Sequence, residues 1–186
     1  MNSELRQNYK DMYSTIVIDE FHEDEVNALA QKVKNNNVAY LAVSLATAVP
    51  WYVIGLIHMR ECSFSFVKHL HNGDSLSAKT VHVPTGRPIT DPPWDWTTSA
   101  IDAIRFHLTS WNIDTNTFQF DVSGCLWFLE TYNGFGYEKH EINDPYLWSF
   151  SNLYTKGLYI ADGTFDSEAI CKEAGCALVL KALGIK

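Results

Sequence analysis

Residues 38–61 read Val38-Ala39-Tyr40-Leu41-Ala42-Val43-Ser44-Leu45-Ala46-Thr47-Ala48-Val49-Pro50-Trp51-Tyr52-Val53-Ile54-Gly55-Leu56-Ile57-His58-Met59-Arg60-Glu61. From Val38 to Met59 there is no Asp, Glu, Lys or Arg, and that length could span a bilayer. Pro50 sits in its middle, Ser44 and Thr47 punctuate it, and Arg60-Glu61 follow at once. A proline is tolerated where a helix opens, because its missing N–H would be unpaired there anyway. The stretch therefore reads as two consecutive buried helices, 38–48 and Pro50 to about Glu61, with no stable membrane insertion. A membrane anchor over the same residues is the competing reading.

Outward from this stretch the helical period continues. Residues 3–15 and 23–34 are patterned as helices, and Glu23-Asp24-Glu25 puts acid in a first turn, where the helix dipole favours it. Helices are also expected at 97–111 and 122–132. An amphipathic one is expected over about 166–183, with Ile170, Ala174, Ala177, Leu178 and Leu180 inward and Gly184 as its stop. Between His69 and Trp96 the texture changes to turns (Asn72-Gly73-Asp74, Pro84 to Pro88, Pro92-Pro93) around an alternating Thr80-Val81-His82-Val83. This predicts a small β-hairpin or irregular lobe at 69–96, and 133–164 reads as ordered loop. The expected fold is mainly α (α+β): one domain over 1–186, a helical body beside a small β lobe, with a cleft between them.

Composition narrows the function. A net charge of −8 with no basic cluster beyond Lys32 and Lys34 argues against a nucleic-acid partner. Cys62, Cys125, Cys171 and Cys176 form no CxxC and no Cys/His zinc spacing, so free buried thiols are expected, with no metal and no cofactor. The N-terminus has no apolar secretory segment, so synthesis in the cytoplasm is expected.

Three constellations could carry chemistry. In Ile57-His58-Met59-Arg60-Glu61-Cys62-Ser63-Phe64-Ser65-Phe66 a carboxylate closes an apolar helix. Apolar surroundings disfavour its charged form, which suits a general acid, although a helix-end cap or ion pair would look the same. Glu130-Thr131-Tyr132-Asn133-Gly134-Phe135-Gly136-Tyr137 ends a helix in a Gly-bracketed turn whose amide and phenols suit sugar hydroxyls; an ordinary C-terminus capped by Gly134 is the alternative. Pro145-Tyr146-Leu147-Trp148-Ser149-Phe150 through Gly157 has aromatics without a period, which suggests a surface platform or a core-filling loop.

In this order the three segments resemble the lysozyme-like superfamily, nearest its goose-type lysozyme and lytic-transglycosylase branch and the phage-associated and bacterial "lysozyme family" proteins. The resemblance runs from about Val49 to the C-terminus and leaves residues 1–35 uncovered; Cys62 stands where that pattern has Ser. It implies a peptidoglycan muramidase, an endolysin or other cell-wall-lytic hydrolase that cuts MurNAc–GlcNAc β-1,4 bonds. Glu61 would be general acid and Asp74 the second carboxylate, with Asp91 and Asp95 as weaker candidates. Tyr132 and Asn133 would hold substrate, with Tyr137, Tyr146 and Trp148 as further contacts. It further implies release through a holin pore or delivery by a secretion machine. Without a second carboxylate near Glu61, the lytic-transglycosylase route remains, in which the sugar's own 6-hydroxyl attacks. A fold of this kind that binds peptidoglycan or a protein partner without cleaving is the alternative.

Overall fold

Pro50 turns the apolar stretch into two helices crossing at 115°, α3 (Asn37–Thr47) and α4 (Trp51–Cys62). No single helix is long and apolar enough to cross a membrane, and only this bent pair passes that test by length and composition. The computed structural model describes all residues 1–186 and is half helix by sequence position, with eight α-helices and one two-stranded sheet. The others are α1 (Ser3–Thr15), α2 (Glu23–Asn35), α5 (Trp96–Ser110), α6 (Val122–Asn133), α7 (Pro145–Trp148) and α8 (Cys176–Ala182). The fold is mainly α, as expected. The chain forms two compact units, 32–120, and 1–31 with 121–186.

In the 32–120 unit α4 is buried nearly all round, from Val53 to Met59 and at Cys62, and α3 and α5 pack on each other. Gly55 lets α4 approach closely, since a Cβ there would lie 2.7 Å from Val33 Cγ1 and 2.9 Å from Tyr40 Cε2. In the other unit α1 packs on α6, and α6 and α8 both pack on α7. The cysteines are free and buried.

Two expectations are corrected. Residues 69–96 contain no strand, only an isolated bridge between Lys68 and Ser75. The Asp74 carboxylate takes the backbone N–H groups of Val81 and His82, at 2.8 and 3.0 Å, that a partner strand would have used. Val81 and Val83 stay exposed, so the segment has no apolar face to bury. The hairpin lies instead at β1 (Leu158–Ala161) and β2 (Thr164–Asp166), antiparallel and turned at Asp162-Gly163. The last helix is also shorter than expected. The Asp166 carboxylate accepts from Glu168 and Ala169 N–H, which fixes a turn there. Gly175 opens the helix pressed on Leu147, where a Cβ would lie 2.2 Å from the carbonyl oxygen. Ile170, expected inward, is exposed, while Ala174, Ala177, Leu178 and Leu180 are buried.

Candidate functional site

Glu61 stands in the last turn of α4, part-buried, after three apolar turns. The helix stops there because Ser63 and Phe64 both take left-handed backbone (φ 49° and 64°), and their N–H groups close on Met59 and His58 carbonyls. Two such non-glycine residues in succession store strain of the kind that persists at functional sites. His58 holds that turn. Its Nε2–H donates to the Ser65 carbonyl (3.1 Å) and its Nδ1 accepts from Tyr40 Oη (3.0 Å), with Phe66 and Trp96 against the ring. Burial pushes its pKa down to about 4, so the ring is neutral and orients rather than titrates.

The Asn72-Gly73-Asp74 turn lies directly against Glu61. Cys62 Sγ donates to the His69 carbonyl, the His69 N–H to the Asp74 carbonyl (2.7 Å), and the Gly73 N–H back to His69 (2.9 Å). Gly73 has φ +77°, and a Cβ on it would sit 2.5 Å from the Glu61 carbonyl oxygen. Gly73→Ala therefore adds both backbone strain and a clash with a main-chain atom that cannot swing away. We expect it to cost about 2–3 kcal/mol, or roughly 5–10 °C in Tm, and to displace Glu61. A thermal melt superimposable on wild type would contradict this apposition.

Asp74 is thus brought beside the Glu61 segment, but its oxygens are occupied. Oδ2 accepts from the Val81 and His82 N–H groups and from Asn72 Nδ2, and Oδ1 meets His82 Nδ1 at 2.6 Å. Partial burial raises its pKa, but the His82 backbone and ring and the Val81 N–H outweigh that and hold it at about 2. Such a carboxylate anchors a loop and is a weak proton acceptor. Asp91 is nearly fully exposed, and Asp95 caps α5 through the Thr98 N–H (2.7 Å). His69 and His71 lie on a turn with their ring centroids 5.7 Å apart. His71 Nε2–H donates to Asp102 (2.9 Å), whose carboxylate Arg87 grips through Nε and Nη2. Burial outweighs Asp102 and lowers His71 to about 4, so the contact is a hydrogen bond and not an ion pair. No three His, Cys, Asp or Glu side chains are grouped to hold a metal ion.

In the other unit Tyr132 is part-buried and Asn133 is exposed, donating from Nδ2 to Asp144 Oδ2 at 2.8 Å. Tyr137, Tyr146 and Trp148 are buried. This corrects the aromatic platform: Asp144 caps α7 through the Tyr146 N–H (2.8 Å), and α7 lies between α6 and α8, so its rings fill core. Tyr137 packs into the hairpin against Tyr159 and Phe165.

The sequence pattern at Glu61 recurs at a second helix end. Glu130, like Glu61, closes an apolar helix. Burial raises its pKa to about 7; the Tyr9 hydroxyl hydrogen bond lowers it, and the Asp144 and Glu138 charges raise it further. Its folded pKa exceeds the ordinary 4.5, so the native state holds the proton longer than the unfolded chain does. Its contribution to stability is full below about pH 4.5 and lost as pH rises through about 7. Glu130→Gln should leave stability near wild type at pH 5 and raise it by about 2–3 kcal/mol at pH 8. Denaturant midpoints that differ equally at both pH values would refute this.

No family model, curated protein or solved structure matches this chain.

Proposed function

We propose that the chain is a peptidoglycan muramidase whose general acid is Glu61. The observation that carries this reading is the strained, glycine-dependent seat of Glu61, a part-buried carboxyl closing an apolar helix against the Asn72-Gly73-Asp74 turn. Donation to a glycosidic oxygen near neutral pH requires a carboxyl that holds its proton there, and this is the role proposed for Glu61. Tyr132 and Asn133, in the other unit, are proposed separately as contacts to a glycan strand. Tyr137, Tyr146 and Trp148 are buried and drop out of the proposed contacts.

Asp74 favours a second reading of the bond-breaking step. An inverting glycosidase needs a base free to take a proton from water, whereas Asp74 has both oxygens engaged and a pKa of about 2. Attack by the sugar's 6-hydroxyl, as in lytic transglycosylases, dispenses with a second carboxylate. Asp74 then serves by fixing the loop beside Glu61. Incubation with dye-labelled insoluble peptidoglycan tests the activity itself: wild type should release soluble dye steadily, and no release above a buffer blank would refute it.

A further inference from the structure

Asp19 and the ring behind it form a structure that the glycan-cleavage reading leaves unused. The Asp19 carboxylate caps the Phe21 N–H at 3.1 Å and accepts from His22 Nδ1 at 3.1 Å, so in the neutral ring Nε2 carries the lone pair. The imidazole stacks on Phe150, centroids 3.7 Å apart and 20° from parallel. Phe150 is held in left-handed backbone at φ 69°, with its carbonyl accepting the Asp19 N–H at 2.9 Å. That conformation is strained for a non-glycine residue, and it persists where surrounding contacts impose it.

The stacked pair opens onto a cavity of about 360 Å³, also lined by Glu25, Thr155 and Lys172. Glu25 and Lys172 carry opposite charges and face the same space, yet neither makes an ion pair or hydrogen bond to any protein group. The neighbouring Lys156 is taken by Glu168 at 2.7 Å, so Lys172 is the cation left over. Asp19, Glu25 and His22 Nε2 offer three acceptors, the number of donors on an ammonium group. A wholly anionic ligand would meet two carboxylates, and a wholly cationic one would meet Lys172.

We propose that this cavity binds a zwitterionic amino-acid group, its ammonium toward Asp19, Glu25 and His22, its carboxylate toward Lys172, and its aliphatic stem against Phe150. Such a group occurs on a free amino acid and on the diamino-acid side chain of a peptidoglycan stem peptide. The proposal does not depend on glycan cleavage, because it is read out as binding.

The test is NMR titration of the full chain, following the His22 ring Cε1–H resonance, assigned by its loss in His22→Gln. The probes are meso-diaminopimelate, its N,N′-diacetylated form, in which neither end keeps an ammonium, and the tripeptide L-Ala-γ-D-Glu-meso-diaminopimelate. A saturable shift with a Kd at or below about 1 mM is expected, weakened at least ~10-fold by N-acetylation, Lys172→Gln or Glu25→Gln. The two substituted side chains are exposed and partnerless, so these variants keep the fold. Equal affinity for both unblocked probes identifies a free amino-acid site, and tighter binding of the tripeptide identifies the stem peptide. No saturable shift by either up to about 10 mM, or a shift unchanged by acetylation or by Lys172→Gln, overturns the proposal.

Discussion

Replacing Glu61 by Gln is expected to slow peptidoglycan solubilisation by about 10³-fold while moving Tm by no more than about 3 °C. The amide matches the carboxyl in shape and fills the same part-buried seat at the end of α4. It has no acid proton to give, and general acid catalysis is worth about 10²–10⁴ in rate. Glu61→Asp keeps the acid but withdraws it by one methylene, and a displacement of that order costs about 10²-fold. Glu130→Gln is the matched control. It also replaces a carboxylate closing an apolar helix, but one hydrogen-bonded to Tyr9 in the other unit from Glu61, and it should leave the rate unchanged. Equal rates for wild type and Glu61→Gln, with both variants folded, would remove Glu61 from the mechanism.

Acidification is expected to unfold residues 32–120 before the rest of the chain. His58, His71 and His107 all lie in that unit, and burial holds each near a pKa of about 4, against 6.5 in an unfolded chain. Each folded pKa lies below its unfolded value, so the unfolded state binds protons first as pH falls. The stability contributed by the neutral rings is complete above about pH 6.5 and lost on descending toward 4. At 1.36 kcal/mol per unit, each histidine accounts for about 3 kcal/mol, and the three together rival the stability of a typical domain. Over much the same range Glu130 acts in the opposite sense in the other unit, gaining its proton and adding stability. Hydrogen exchange at pH 5 should show amides of α4 and α5 losing protection while those of α6 keep theirs. Uniform loss across both units would contradict this assignment of the titrating groups.

Helices were legible wherever a single periodicity ran long enough. Pro50 announced the break between α3 and α4, and the carboxyl of Glu61 at the end of α4 could be read from the apolar residues before it. The β lobe was misplaced because Thr80 to Val83 alternates like a strand, while the donors a strand needs are claimed by a side chain six residues upstream of Thr80, at Asp74. Nothing local records that claim. The true hairpin carried its own signal, Asp162-Gly163 between short runs rich in Tyr and Phe, obscured by the brevity of both strands. Tyr146 and Trp148 lacked a period because α7 is one turn long, too short to show one, and packing alone put them in the core. The doubled role of the rule that singled out Glu61 is the sharper lesson. Glu130 satisfies the same pattern and is part-buried too, and its hydrogen bond with Tyr9, far away in sequence, is invisible to that pattern.

The most direct test of glycan cleavage by this chain is mass spectrometry of the soluble products from purified peptidoglycan treated with wild type and with Glu61→Gln. Wild type should yield muropeptides cut between MurNAc and GlcNAc, ending in 1,6-anhydro-MurNAc if the 6-hydroxyl attacks or in a reducing MurNAc if water does. Glu61→Gln should yield neither. Wild-type digests containing no product cut at that bond, or the same products at undiminished yield from Glu61→Gln, would contradict it.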